Sequence, residues 1–362
     1  MRRFVDRWRE RALVYALWML GMAGAALMFS DTLHSHLVNR DFVAVWAAGK
    51  LALAGRAVQT YDPTALQAFA NQLVGTSSYI VYPYPPHTLF IAVPLSLLPL
   101  PLAFWTWQAI SAALFYSAAR SYLPAGFPKV LAILTPAALI NVGFGQVGLF
   151  FGALWLFAFS GSAFAAAAMT FKPHLGLLVV GEAVRRRQLL ITSAIALAIL
   201  ALSVVLFGVG AWRVWISEAI AHQMGDLATR SIVNWTNKMA APFMGYGLFG
   251  WLAFAGAGIY LLFRRFDVFT AATASFLITP YGFHYDMTVV CLGFGVLLFE
   301  RWRTMPPWQT FIAALAFLSP LLAGLGTLIA PPILLAGLYV QTRQPITKDA
   351  GAKLVGSKES TA

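Results

Sequence analysis

The sequence predicts an all-α, polytopic membrane protein, and three observations lead there. Of its 362 residues 60% are apolar and only 10% charged, where a soluble domain carries about 25% charged residues. The apolar residues run in stretches, several of them near the ~20 residues that a helix needs to cross a bilayer. The cations stand in short clusters between those stretches: Arg2, Arg3, Arg7, Arg9 and Arg11, then Arg185 to Arg187, Arg264 with Arg265, and Arg301 with Arg303. Loops on the cytoplasmic side of a membrane collect Lys and Arg in this way. The net charge of +12 is thereby accounted for without a nucleic-acid partner. An ordinary cytosolic enzyme and a disordered chain are both excluded, since neither carries so much apolar surface.

Clear spans are expected over 12–29, 189–209, 242–263, 307–323 and 325–340. The first is long for a signal sequence and no small-x-small cleavage site follows it, so a retained helix is expected. Less regular spans are expected over 87–119, 128–140, 147–160, 163–171, 173–184, 266–280 and 287–300, for about twelve in all. Several of these are too short to cross lipid alone, but such helices can line a buried or water-filled cavity. Broken spans commonly mark a binding site. The whole of 1–340 reads as one membrane domain, with residues 341–362 a polar cytoplasmic tail.

With the N-terminal arginines inside, segment 31–86 forms a first external loop, and Arg120, Lys129, Arg185 to Arg187, Arg264 and Arg265 all fall inside. Asn141 to Gln146, Lys172 to His174 and Pro280 to Asp286 fall outside. A rival parse breaks 87–119 at Pro99-Leu100-Pro101 and moves Asn141 to Gln146 to the cytoplasm. The preferred parse gathers all six histidines (His34, His36, His87, His174, His222, His284) on the outer side. The acids Asp31, Asp41, Asp62, Glu218, Asp226 and Asp286 join them there. Any site is expected on that face. Cys291 is the one cysteine, which excludes an intrachain disulfide and a Cys-based metal site.

In the first external loop, Phe42, Val45, Trp46, Ala48, Leu51 and Leu53 suggest an amphipathic helix at the membrane surface. Asp41 begins it, where a carboxylate caps helix N–H groups or is kept for chemistry. Asp62, before Pro63, reads as a turn or cap residue. In "YIVYPYPPHTLF" the prolines forbid a helix before Pro86. Tyr82, Tyr84 and His87 then form an extended aromatic segment that either meets a substrate or anchors at the interface. Asn141 and Gln146, in "NVGFGQVG", either bridge helices or bind hydroxyl groups. Lys172, in "MTFKPHLGLL", is a cation within an apolar stretch, suited to an anionic lipid group unless it snorkels to the surface. "TPYGFHYDM" sets Tyr281, His284, Tyr285 and Asp286 in one short turn, and a metal there would need ligands from other loops. The segment 210–241, with Trp212, Arg213, His222, Arg230, Trp235 and Lys238, is either a lid or a linker.

Taken in order, "RDF" opening a helix, "AGRAVQTYDPTAL", "YPYPPHTLFIAVPLSLLP", "GFGQVGLF", "FKPHLGLL" with "RRR" soon after, and "TPYGFHYDM" resemble glycosyltransferase family 87. That family lies within the GT-C class of polyprenyl-phosphate-sugar-dependent membrane transferases, and the resemblance spans about residues 38 to 290. It implies a GT-C-type helical bundle with a cavity on the non-cytoplasmic face, and, for a bacterial chain, residence in the inner membrane with both termini inside. It also implies a catalytic aspartate in the first external loop, matched here by Asp41. Relatives often read Ser-Pro-x-Ser-Trp-x-His-His at the last motif, of which Pro280 and His284 carry over.

The expected activity is transfer of a hexose, mannose by family default, from a polyprenyl-phosphate donor to a lipid or glycan acceptor. Asp41 would act as general base in one inverting displacement. Lys172 and His284 would bind the donor phosphate. Tyr82, Tyr84, His87, Gln146, Tyr281, Tyr285 and Asp286 would line the sugar or acceptor site. The donor is already activated, so no cofactor or metal is expected; the partners are the lipid-linked sugar, the acceptor and membrane lipid. A transporter or flippase is the rival reading. It needs access from both sides, whereas the polar residues gather on one.

Overall fold

The structure, a computed structural model, describes residues 2–28, 37, 40–76, 79–219, 241–326 and 328–344, with side chains except at 2–10, 218–219 and 243–244. Among the described residues there are fifteen α-helices and no β-strand, as the apolar runs predict. They are α1 (Arg2–Met28), α2 (Phe42–Leu53), α3 (Pro63–Val74), α4 (Leu89–Ser96), α5 (Leu100–Ala119), α6 (Pro136–Phe144), α7 (Gly148–Phe159) and α8 (Ala163–Ala168). After these come α9 (Pro173–Arg185), α10 (Leu189–Val214), α11 (Phe243–Arg264), α12 (Val268–Ile278), α13 (Thr288–Arg301), α14 (Pro307–Ala323) and α15 (Ala330–Arg343).

Local chemistry explains many of the boundaries. Prolines open α3, α5, α6, α9, α14 and α15 in their first turns, where the missing N–H costs nothing. Asp62 caps α3 by accepting from Thr64 and Ala65 N–H, which is the cap role its sequence suggests. Asp267 caps α12 in the same way and completes a capping box with Thr270.

Among the described residues three helices are long and apolar enough to cross a membrane: Arg11–Met28, Leu189–Ser217 and Gly245–Arg264. The run 87–119 is not one helix. It breaks between Ser96 and Leu100, and the two parts are bent by 120°, so the helix is interrupted at the Pro99-Leu100-Pro101 sequence that the rival parse singled out. If that pair makes one broken span, the number rises to four. Of the shorter apolar helices, Phe42–Leu53, Gly148–Phe159 and Val268–Ile278 extend less than about 20 Å and Pro307–Ala323 about 25 Å, all short of the hydrocarbon thickness of about 30 Å.

Side-chain contacts sort the helix ends into two groups. In one, the Arg11 guanidinium donates to Gly126 O and lies over Phe299, and Tyr122 donates to Leu156 O. Arg186 donates to Phe159 O there, and Phe159 packs on Phe266. In the other, Gln146 reaches Asp41, Lys172 reaches Asp286 and Trp215 donates to Pro83 O. Helices α5, α7, α9 and α13 run from the second group to the first, and α10 and α12 run back. Arg11, Arg186, Arg264 and Arg265 thus share one end while Asp41, Gln146 and Lys172 share the other. The rival parse, which parts Gln146 from the first loop, is overturned by the contact between Gln146 and Asp41.

Three other expectations are corrected. Helix α2 is not a surface helix: nine of its twelve residues are buried, because Ala44, Ala47, Ala48 and Gly49 let neighbouring backbone close over it. Helix α10 continues beyond 209 to Val214 through the non-helical Gly208 and into a π-turn at Trp215–Ala219. What the sequence suggests as loop there is helix, and residues 220–240, with His222, Arg230, Trp235 and Lys238, lie outside the described residues. So do Asp31, His34, His36 and the tail from 345. The last helix starts at Ala330 rather than 325, set by Pro331 and Pro332.

Candidate active site

The site is assembled from five short segments that meet at the end away from the arginines. Asp41 supplies the first side chain. It precedes α2 but makes no side-chain cap bond to that helix, so the capping role is not the one it fills. Its Oδ2 accepts a hydrogen bond from Gln146 Nε2 at 2.7 Å, and the residue is exposed.

Gln146 comes from the turn between α6 and α7, which the sequence fixes tightly. Gly145 closes α6 in the left-handed region at φ 73°, and a Cβ there would meet Phe104 and Phe42 Cβ at 2.7 and 2.9 Å. Gln146 N–H donates to Asn141 O, and its carbonyl accepts from Trp107 Nε1. Its side-chain oxygen accepts from Tyr84 OH at 3.2 Å. The amide therefore bridges Asp41 and Tyr84.

Tyr84 lies on the extended segment before Pro85 and Pro86. Burial pushes its phenol well above its ordinary value, and the nearby charges of Asp286 and Asp41 push it further. Tyr82 packs edge-on against Tyr84. Its hydroxyl lies 2.6 Å from Thr88 Oγ1, and burial raises its phenol too, against that hydrogen bond. The segment is thus an internal wall rather than an interfacial anchor: Tyr82 is 3% exposed.

Lys172 sits at the start of α9, after a single turn of 3-10 helix. It does not snorkel. Its ammonium donates to both oxygens of Asp286, at 2.7 and 2.6 Å, and both side chains are buried. The Tyr285 ring lies 5.6 Å away. Burial pushes the Asp286 carboxyl up, opposed by Lys172 and by a long bond from Phe283 N–H. The turn carrying Asp286 is pressed onto α7: a Cβ on Gly148 would lie 2.0 Å from Tyr285 O. Thr288 Oγ1 also donates to Gly148 O.

The other predicted residues divide. Tyr281 packs at a tilt on His174, ring centroids 4.0 Å apart, and Tyr285 stacks on Phe283. Asp286 raises both phenols, after burial itself, and Asp41 and Tyr84 act on Tyr285 as well. Asp41, Tyr84, Tyr281, Tyr285, Lys172 and Asp286 therefore form one electrostatic neighbourhood. His284 is fully buried against Phe144 and Tyr285. His87 is buried as well, stacked on Trp212, packed on Phe171 and 3.3 Å from Thr170 Oγ1. Sequence reasoning missed Trp107, whose role depends on a carbonyl 39 residues away, and Gly148, whose only signal is a glycine opening an apolar helix. Among the described residues no three His, Cys, Asp or Glu side chains gather as metal ligands would.

A helical protein with membrane-length apolar helices and one polar cluster of carboxylates, an amide, tyrosines and a paired lysine is the class that the fold and site define. The chain belongs to glycosyltransferase family 87, whose family model matches residues 82–280, more than half its length. It is accordingly a glycosyltransferase. The matched region holds Tyr84, Gln146 and Lys172; Asp41 and the 281–286 turn flank it. No curated protein and no solved structure matches the chain.

Proposed function

We propose that the protein moves a hexose, with mannose the family default, from a polyprenyl-phosphate donor to a lipid or glycan acceptor. The reaction takes place at the extracytoplasmic face of a bacterial inner membrane. The observation that carries this reading is the state of Asp41: a carboxylate at a helix start that does not cap the helix and is held instead by Gln146. As general base it takes the acceptor hydroxyl's proton while that oxygen attacks the anomeric carbon, an effect typically worth about 10²–10⁴-fold. The sugar–phosphate bond breaks as the new glycosidic bond forms, and the polyprenyl phosphate leaves with the electron pair. One displacement inverts the anomeric centre.

Lys172 supplies the cation for the leaving phosphate. In surroundings of low polarity such a charge stabilises a developing anion far better than in water. Asp286 holds that ammonium in its buried place through two hydrogen bonds. His284 is given the same phosphate role from the sequence pattern; because its ring is enclosed, the 283–286 turn must open for it to act. Tyr84, Tyr281 and Tyr285 offer phenols and ring faces to the sugar, and Asp286 reaches the sugar side only by sharing Lys172. Tyr82 and His87 support this wall from behind.

The topology that suits this reading is the GT-C-type bundle of about twelve spans, with arginines and both termini in the cytoplasm. The gathering of polar groups at one end favours a one-sided enzyme over a transporter. The test supplies purified protein in detergent with labelled polyprenyl-phosphate mannose and a membrane lipid extract, and reads the product's anomeric configuration by NMR. An inverted mannosyl linkage supports the proposal; a retained one contradicts the single displacement. Absence of transfer from mannose, glucose, galactose and arabinose donors alike would discard the donor class.

A further inference from the structure

We propose that Gln146 is a positioning residue for Asp41: its amide aims the carboxylate and holds it in the ionised form, with Tyr84 fixing which way the amide faces. This rests on the reading of Asp41 as the base and adds a device that controls it.

The geometry leaves the amide one consistent orientation. Tyr84 OH donates to the side-chain oxygen, so the amide NH2 must face away from Tyr84, and there it meets Asp41 Oδ2 at 2.7 Å. A flipped amide would set its oxygen against a carboxylate oxygen and its NH2 against the tyrosine hydroxyl. That phenol remains a donor because burial raises its pKa well above the ordinary value. The backbone is held at the same residue through Asn141 O and Trp107 Nε1, and Gly145 sets the turn. A hydrogen bond given to a carboxylate is charge-assisted and favours its ionised form. The described groups that share the field of Asp41 include the Arg40 cation, in the same segment, and the phenols of Tyr84 and Tyr285, which also feel the Asp286 carboxylate paired with Lys172. Arg40 also favours the anion, so Gln146 adds to it and supplies direction as well, linking residues 105 positions apart.

The amide is used at both ends on protein groups. This separates a positioning role from the sugar-binding role that its place in the sequence suggests.

The test reads Asp41 itself. Infrared difference spectra of the protein minus Asp41→Asn, taken across a pH series, isolate the Asp41 carboxyl band. The expected result is an Asp41 midpoint about one pH unit higher in Gln146→Leu, and higher again in Gln146→Glu, where a second carboxylate stands beside it. An unmoved midpoint in both variants overturns the proposal whether or not the transferase reading holds. Where transfer from polyprenyl-phosphate mannose is measured, Gln146→Leu should lower kcat about 10–100-fold with KM within about twofold. The acid limb of the rate should move with the infrared midpoint. A rise in KM with that limb unmoved would make Gln146 a substrate contact instead. Full activity of Asp41→Asn, with the midpoint shift intact, would sink the base reading and leave the coupling standing.

Discussion

The Lys172 ammonium lies 2.6 Å from Asp286 Oδ2 and 2.7 Å from its Oδ1, with the two side chains only 6% and 1% exposed. A buried pair in this arrangement contributes little net stability, but losing one partner strands a charge and costs about 3–5 kcal/mol. Lys172→Met and Asp286→Leu should each lower the thermal midpoint in detergent sharply. The double variant should recover much of the loss, since no lone charge remains. A double variant as unstable as the sum of the singles would show that the pair is not coupled. Activity should be lost in both variants that lack Lys172, because recovering the fold does not restore the cation.

The 283–286 turn owes its place to Gly148. A methyl there would fall 2.0 Å from Tyr285 O and 2.9 Å from Asn141 Nδ2, and neither atom can step aside without moving backbone or a buried amide. Gly148→Ala should destabilise the protein by about 1–3 kcal/mol and lower transfer. Gly256→Ala, which meets no neighbour within 4 Å, serves as the control. Differential scanning fluorimetry on both variants checks this; equal midpoints would contradict the close approach.

The tyrosine wall makes stability depend on alkaline pH. Burial raises the phenols of Tyr82, Tyr84, Tyr281 and Tyr285 above their ordinary 10.0. Above about pH 10 the unfolded chain releases protons that the folded one keeps. The stability tied to these groups is therefore complete below that pH and is lost as pH rises beyond it. Thermal midpoints should hold to about pH 9 and fall steeply by about pH 11. The variant with Tyr84→Phe and Tyr285→Phe should fall less steeply, and an equal slope would contradict the assignment.

The two groups of helix ends make the proposed sidedness testable. Cys291 is buried and bonded to Phe317 O, so Cys291→Ser gives a background for labelling single cysteines. A membrane-impermeant maleimide should reach Asp41→Cys from outside intact cells and Arg187→Cys only after lysis. Labelling of both from the same side would break the proposed topology.

Much of this fold was legible in the sequence, because apolar runs and arginine clusters report directly on lipid and on the ends of spans. Helices α1, α11 and α14 fall close to their apolar runs for that reason. The course of α2 was not legible: its apolar residues pattern as a surface helix, and only packing reveals that small residues let backbone enclose it, as where Ala92 O crowds Gly49. The site divides in the same way. Lys172 announced itself as a cation in an apolar stretch, and Asp41 as an acid at a helix start. That Lys172 is matched by Asp286 and Asp41 by Gln146 depends on contacts 114 and 105 residues apart, which no local pattern records. His87 and His284 drew attention as polar groups among apolar neighbours, and both prove to be packed inside.

The role of Asp41 is tested by sugar transfer with Asp41→Asn, in detergent, against the unaltered protein and with the fold of each verified by its thermal midpoint. Asparagine nearly preserves shape and still reaches the Gln146 amide, but it cannot accept the acceptor's proton. Transfer should fall at least about 10²-fold while the midpoint stays close to that of the unaltered protein. Transfer at the unaltered rate from a folded Asp41→Asn variant would contradict it.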